Sequence, residues 1–181
     1  TLKRSSLNEF VNAVRDGSAQ LQESLNRAAE LIQSFKQVVS DRNNSDLRSF
    51  DLGDLTEQVA MGLRPALPKH GVTLSVECGQ GLSINSYPGS YGQVLNNLFL
   101  NAIAHAFPDG RQGNIAIKVS ACGVDDVEII FSDDGCGMSE EVIQHLFEPF
   151  FTRRRGGQGT GLGLSITYRI VEEHNGQIVP H

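Results

Sequence analysis

The sequence predicts an α+β fold, in which strands and helices interleave on a mixed β-sheet that follows one long helix. Two observations support this prediction. Several stretches alternate apolar and polar residues with a period of two, which is typical of strands. The N-terminal segment instead spaces its apolar residues by three and four, which is typical of an amphipathic helix. The 181 residues suffice for one domain and an appendage.

The N-terminal stripe predicts a single helix from about Leu7 to Ser40, with Ser6 and Glu9 as a capping box. Such a helix would run roughly 50 Å at about 1.5 Å per residue. It cannot bury its apolar stripe alone, so we expect it to pack against a second copy or another helix. An amphipathic linker is the alternative, although a linker needs no heptad spacing. The stripe comprises Leu7, Val11, Val14, Ser18, Leu21, Leu25, Ala28, Ile32, Phe35 and Val39, widened by Phe10, Leu31 and Val38.

The second domain is predicted to begin at residue 49, after a polar hinge at 41–46. A helix capped by Asp51 or Asp54 should end near Leu63, because two prolines follow it. Strands are predicted around residues 72–76, 115–119 and 127–131, and helices at 89–107, 140–146 and 161–174, the last closed by Asn175 and Gly176.

Composition excludes several classes of protein. The net charge of -6 argues against nucleic acid as a partner, because nucleic-acid-binding proteins usually present a basic face. No apolar window approaches the ~18 residues of a membrane span, and no signal peptide opens the chain, so we expect a cytoplasmic protein with any membrane attachment outside these residues. Cys78, Cys122 and Cys136 form no CxxC pair, which favours reduced thiols over a zinc site.

Three motifs follow one another in the second domain: DDGCG at 133–137, FEPFFT at 147–152 and GTGLGL at 159–164. A carboxylate can accept a hydrogen bond from the adenine amine, and glycines let the backbone approach a ligand. A glycine-rich turn that opens a helix presents amides to phosphate. Alone, the first motif would be read as an acidic turn between a strand and a helix. Together, the motifs predict an ATP pocket.

A fourth motif lies upstream, on the helix predicted at 89–107. Asn97, Asn101 and His105 are four residues apart, so they share one helix face. The apolar residues around them can be buried on other faces. A polar stripe of this kind faces solvent or a ligand.

These four ordered motifs resemble the ATP-binding region of bacterial sensor histidine kinases of two-component systems, within the GHKL superfamily shared with gyrase, Hsp90 and MutL ATPases. The resemblance covers roughly residues 50 to 179. It implies a Bergerat-type α/β sandwich, with helices on one face of the mixed sheet. Residues 1–48 would be part of the dimerisation and phosphotransfer helix, without the acceptor histidine. Residues 49–181 would be the catalytic domain, with its last strands truncated.

The resemblance also implies roles for single residues. Asp133 would read the adenine base, and Asn101 would hold Mg²⁺ through its amide oxygen. Asn97 replaces a glutamate that activates water in related ATP hydrolases, and an amide is a poor general base. Asn97 and His105 would be catalytic. The expected nucleotide-binding residues are Asn97, Asn101, His105, Asp133, Gly135, Gly137, Thr152, Gly159, Thr160, Gly161, Leu162, Gly163 and Leu164.

One position departs from the kinase pattern, because Ala104 stands where a lysine is frequent. His105 or the arginines at 153–155 could supply the missing phosphate contact. A run of arginines in a loop is as often merely solvated, so none of the three receives a role.

The implied activity moves the γ-phosphoryl group of ATP to a histidine on an upstream helix, and from there to a response-regulator receiver domain. The implied assembly is a homodimer through the N-terminal helix. We expect this chain to bind Mg-ATP without phosphorylating itself, because none of its remaining histidines has a neighbouring acidic phosphorylation motif: His70, His145, His174 and His181. The alternatives are a GHKL-type ATPase and a silent nucleotide-binding module. Asn97 and the FEPFFT segment argue against the ATPase.

Overall fold

The computed structural model describes residues 10–22, 24, 25, 28, 47–108, 110–123, 125–152 and 160–180, apart from the side chains of 68–70. Residues 10–22, 24, 25 and 28 are helical, as the apolar stripe predicts. Their apolar side chains are exposed, with Phe10 at 65% and Leu25 at 69%. The predicted cap at Ser6, the rest of the long helix and the hinge lie outside the described residues.

From residue 48 onward, the chain begins with a strand and alternates strands with helices. In chain order, its elements are β1 (Arg48–Asp51), α1 (Leu52–Leu63), a 3-10 helix (Arg64–His70), β2 (Val72–Cys78), β3 (Ser83–Ser86), α2 (Pro88–His105), β4 (Gly113–Cys122), β5 (Asp126–Asp133), α3 (Glu140–His145) and α4 (Gly163–Glu173). Every strand and helix predicted for this part of the chain is present.

The main sheet is mixed, as predicted. Its strand order is β2-β4-β5, with β2 parallel to β4 and β4 antiparallel to β5. Strands β1 and β3 form a separate antiparallel pair, in which Phe50 lies opposite Ile84. The sequence did not predict this pair, because each four-residue strand contains a single large apolar residue and shows no alternation.

The core lies between the main sheet and helices α1 and α2. Ile115, Ile117 and Val119 point from one face of β4 and are at most 1% exposed. Leu95 and Phe99 of α2 are buried in the two core clusters that contain these strand residues. The domain is therefore an α+β layer structure, and α2 is held firmly on the sheet.

Local signals determine where the helices begin and end. The Asp51 carboxylate accepts a hydrogen bond from the backbone of Asp54, so Asp51 is the cap of α1. Helix α4 begins at Gly163, later than predicted, because Gly161 has a left-handed φ of 66°. It ends where Asn175 adopts a φ of 56° and the Gly176 amide donates to the Val171 carbonyl over 2.9 Å.

Candidate nucleotide-binding site

The carboxylate of Asp133 lies exposed at the end of β5. Its Oδ1 accepts a hydrogen bond from the Gly135 amide over 2.9 Å, which fixes the orientation of the group. Among the described residues, Oδ2 accepts no hydrogen bond. Its neighbour Asp134 is engaged differently, since its Oδ1 accepts from the Asn114 amide over 2.8 Å. Each of the two carboxylates therefore has one oxygen that accepts a backbone hydrogen bond and a second oxygen that accepts none from the described residues.

The turn that follows Asp133 is docked on the C-terminal end of α2. A Cβ on Gly135 would lie 2.6 Å from the carbonyl oxygen of Ala106, which is too close for any residue except glycine at position 135. The Cys136 amide donates to the same carbonyl over 2.9 Å. Gly137 has a left-handed φ of 69°. One glycine is thus required by a close approach, and the other by backbone conformation.

The middle of α2 contacts the start of α4. The side-chain Nδ2 of Asn97 donates to the Gly163 carbonyl over 3.1 Å and to the Thr167 hydroxyl over 3.3 Å. A Cβ on Gly163 would lie 3.6 Å from Nδ2 of Asn101. Asn97 and Asn101, two of the three residues of the predicted polar stripe, therefore face the glycine-rich motif, whereas His105 is exposed.

The FEPFFT segment is tied to the same motif by backbone contacts. The Phe150 amide donates to the Gly161 carbonyl over 2.9 Å, and both residues have left-handed φ angles. A Cβ on Gly161 would lie 2.7 Å from the Phe151 carbonyl oxygen. The rings of Phe147 and Tyr168 are 5.1 Å apart. All four motifs thus meet around α2 and α4.

A comparison with protein families agrees with this convergence. Residues 87–180 match the family model described as histidine kinase-, DNA gyrase B-, and HSP90-like ATPase. The chain belongs to this family. The matched residues begin just before α2 and extend beyond α4, so they include every motif of the site.

Similar proteins are histidine kinases. Sporulation kinase E of Bacillus subtilis (strain 168) is 44% identical over 92 residues, which are 51% of this chain and 12% of that kinase. The nucleotide-free catalytic domain of histidine kinase ThkA is 29% identical, with a TM-score of 0.62 over 71% of this chain and 81% of that one. A structure of ThkA in complex with the response regulator TrrA shares the fold, with a TM-score of 0.62 and 23% identity over 97% of this chain and 47% of that one.

The other residues predicted for the family site have varied surroundings. The Thr160 hydroxyl accepts a hydrogen bond from the Leu162 amide over 3.3 Å, and Leu162 and Leu164 are half-buried. His105 and Thr152 are exposed, and each makes further interactions. The His105 carbonyl lies 3.4 Å from the Cys136 sulfur. Gly159 and the arginines at 153–155 lie outside the described residues.

Two contributors to the site were not singled out from the sequence. Thr167 is fully buried, and its hydroxyl donates to the Gly163 carbonyl over 3.0 Å. The spacing of four from Gly163 could have suggested this helical contact. Ala106 contacts the turn after Asp133. No pattern in the sequence predicts this contact, because it depends on how the sheet and α2 pack.

Two findings bear on metals and membranes. In the described part of the chain, no group of three or more His, Cys, Asp and Glu side chains could hold a metal ion. Among the same residues, no helix has both the length and the apolar character required to cross a membrane.

Proposed function

We propose that this chain is the ATP-binding catalytic region of a two-component sensor histidine kinase. One observation carries the proposal: a single helix, α2, contacts the Asp133 turn at its C-terminal end and the start of α4 at its middle. Ala106 and Asn101 are separated by roughly 8 Å along the helix axis. The base-reading and phosphate-binding groups are thus close enough together to serve one nucleotide.

At the adenine end, Asp133 accepts a hydrogen bond from the exocyclic amine through the oxygen that Gly135 does not occupy. The purine ring approaches the backbone near Gly137, where no side chain intervenes. A carboxylate cannot donate a hydrogen bond, so this position favours adenine, which has an amine, over guanine, which has a carbonyl there.

At the phosphate end, the first turn of α4 exposes backbone amides, and its helix dipole favours negative charge. Gly163 leaves room there, because a Cβ would project toward Asn101. Thr160, Gly161 and Leu162 form the turn that leads into this helix.

Magnesium fits the donor set at this end. The Asn101 side chain is half-buried, and no hydrogen bond joins it to another described residue, so its neutral amide oxygen is available. Mg²⁺ uses few protein ligands and completes its octahedron with water and phosphate oxygens. When bound, the ion would neutralise charge on the phosphates.

The chemistry we propose is phosphoryl transfer. Asn97 engages its amide nitrogen with Gly163 and Thr167, and an amide cannot take a proton from water. His105, one turn beyond Asn101, is our candidate for a phosphate contact. In the whole protein, the acceptor would be a histidine on an upstream helix.

The proposed partners follow from the rest of the chain. The exposed apolar side chains of the N-terminal helix would pair with the same side chains in a second copy; they are Phe10, Val11, Val14, Leu21 and Leu25. By analogy with ThkA, whose complex contains TrrA, the phosphoryl group would pass to a receiver domain. We propose a cytoplasmic location for these steps.

The nucleotide proposal is tested by isothermal titration calorimetry with Mg-ATP and Mg-GTP. Replacing Asp133 with asparagine keeps an oxygen for the Gly135 amide but presents a donor to the adenine amine. A lost hydrogen bond to a charged group corresponds to about 1.5–3 kcal/mol, or roughly 10- to 150-fold in affinity for ATP. The preference for ATP over GTP should shrink as well.

Asp134→Asn is the matched control, because it changes the adjacent carboxylate, whose partner is the Asn114 amide. It should bind Mg-ATP within about twofold of wild type. Equal losses in both variants, or no binding by the wild type, would refute the assignment. Mixing the chain with its upstream acceptor helices and labelled ATP then separates kinase from ATPase: the label should appear on histidine, and not as free phosphate.

A further inference from the structure

We infer that Thr167 is a positioning residue that sets the orientation of the Asn97 amide for binding of the magnesium nucleotide. The inference rests on the proposed function and extends it to a residue that does not touch the nucleotide. Thr167 lies on α4, one turn after Gly163, and its side chain is fully buried.

Three polar groups form a closed triangle between α2 and α4. The Thr167 hydroxyl donates to the Gly163 carbonyl over 3.0 Å. The Asn97 amide nitrogen donates to that carbonyl over 3.1 Å and to the Thr167 oxygen over 3.3 Å. The hydroxyl therefore acts as donor and acceptor at once, and the amide nitrogen donates to two neighbouring oxygens.

This arrangement determines which way the carboxamide is turned. With two acceptors on one side, the nitrogen must face them, and Oδ1 of Asn97 is turned away from Gly163. The reverse orientation would bring Oδ1 against the Gly163 carbonyl oxygen without a proton between them. Two anchors also define the plane of the amide, whereas one anchor would leave it free to rotate.

The triangle lies beside the proposed phosphate end. A Cβ built on Gly163 would approach both asparagines, at 3.6 Å from Nδ2 of Asn101 and 3.9 Å from Cγ of Asn97. The first turn of α4 and the two amides therefore share one small space. Loss of the Thr167 hydroxyl would loosen the amide and that turn together, on the side where the metal-bound phosphates are proposed to lie.

The molecule contains a matched control for a purely structural effect. Thr56 on α1 is also fully buried, and its hydroxyl donates to the carbonyl four residues earlier, that of Leu52, over 2.6 Å. It also pairs with the Tyr91 hydroxyl over 2.6 Å. In the described part of the chain, no hydrogen bond joins Thr56 to Asn97, so Thr56→Val removes a comparable hydroxyl away from the nucleotide site.

The experiment compares wild type, Thr167→Val, Thr167→Ser and Thr56→Val. Calorimetry measures the dissociation constant of ATP with and without Mg²⁺, and thermal unfolding measures stability. Both valine variants should unfold at lower temperature than wild type. Only Thr167→Val should bind Mg-ATP more weakly, by about five- to tenfold for one lost hydrogen bond, and the gain in affinity from Mg²⁺ should shrink. Thr167→Ser keeps the hydroxyl and should restore that gain.

Three results would each overturn the inference. The first is an affinity of Thr167→Val for Mg-ATP within twofold of wild type, and the second is an equally weakened affinity in Thr56→Val. The third is a loss of ATP affinity in Thr167→Val that is the same with and without Mg²⁺. If Thr167→Val does not fold, Thr167→Cys is measured instead. A thiol is a weak hydrogen-bond donor, so the affinity for Mg-ATP should then fall two- to threefold. A wild-type chain that binds no adenine nucleotide would refute the proposed function itself. If wild type and Thr167→Val instead bind Mg-ATP equally well, the proposed function stands and only the role of Thr167 is refuted.

Discussion

Replacing Gly135 with alanine would put a methyl group where the Asp133 turn touches α2. The new Cβ would lie 2.6 Å from the Ala106 carbonyl oxygen and 2.6 Å from Oδ1 of Asp133. Both distances are well inside van der Waals contact, and the obstructing oxygens belong to a helix end and to a carboxylate fixed by its own hydrogen bond. The turn must therefore move away from α2.

The size of the effect follows from these contacts. Overpacking of this kind costs about 1–3 kcal/mol of folding free energy. The shift would also stretch the 2.9 Å bond from the Cys136 amide to Ala106 and displace the Asp133 carboxylate. Losing the aligned hydrogen bond to adenine would weaken ATP binding by roughly 10- to 150-fold.

Chemical denaturation and calorimetry with Mg-ATP measure the two effects separately. Gly62→Ala is the control, because Gly62 lies in α1 and its new Cβ would have no atom within 4 Å. That variant should gain up to about 1 kcal/mol from helix propensity and bind ATP normally. If Gly135→Ala is as stable as wild type and binds ATP within twofold, the close docking of the turn on α2 is wrong.

Two further predictions concern magnesium and pH. Asn101→Ala should abolish most of the affinity that Mg²⁺ adds to ATP binding, and calorimetry without metal should give a dissociation constant close to that of wild type. A large loss without metal would contradict the proposed role. Burial raises the pKa of Tyr91 to about 12 from 10.0, so the unfolded chain ionises first, and the free energy of unfolding should fall between pH 10 and 12. In denaturation experiments across this pH range, the free energy of unfolding of Tyr91→Phe should fall less than that of wild type. An unchanged pH profile in Tyr91→Phe would exclude Tyr91 as the source of the decline.

The elements of the main sheet and its helices could be predicted because their signals are local. Ile115, Ile117 and Val119 alternate along β4, and all three are buried on one face. The pair formed by β1 and β3 could not be predicted in the same way. Its strands are short, and they are stabilised by pairing across a long stretch of chain, which no local pattern records.

The candidate site likewise contains features that the sequence predicted and features that it could not. Asn97 and Asn101 were predicted to share a helix face from their spacing alone, and the structure has both beside Gly163. Their residue types pointed to ATP through the four motifs, and the family match agrees. The sequence could not reveal that the nitrogen of Asn97 is bound twice, because Thr167 was not among the motif residues.

By itself, the amino-acid sequence determined the order of the helices and strands, the acidic and glycine-rich chemistry after β5, and the family of the chain. These depend on periodicity and on residue types at short spacing. Only the tertiary structure decided that Gly135 rests on Ala106 and that Asn97 joins α2 to α4. Such contacts arise when elements far apart in the chain pack on one sheet, and their geometry is a property of the packed core.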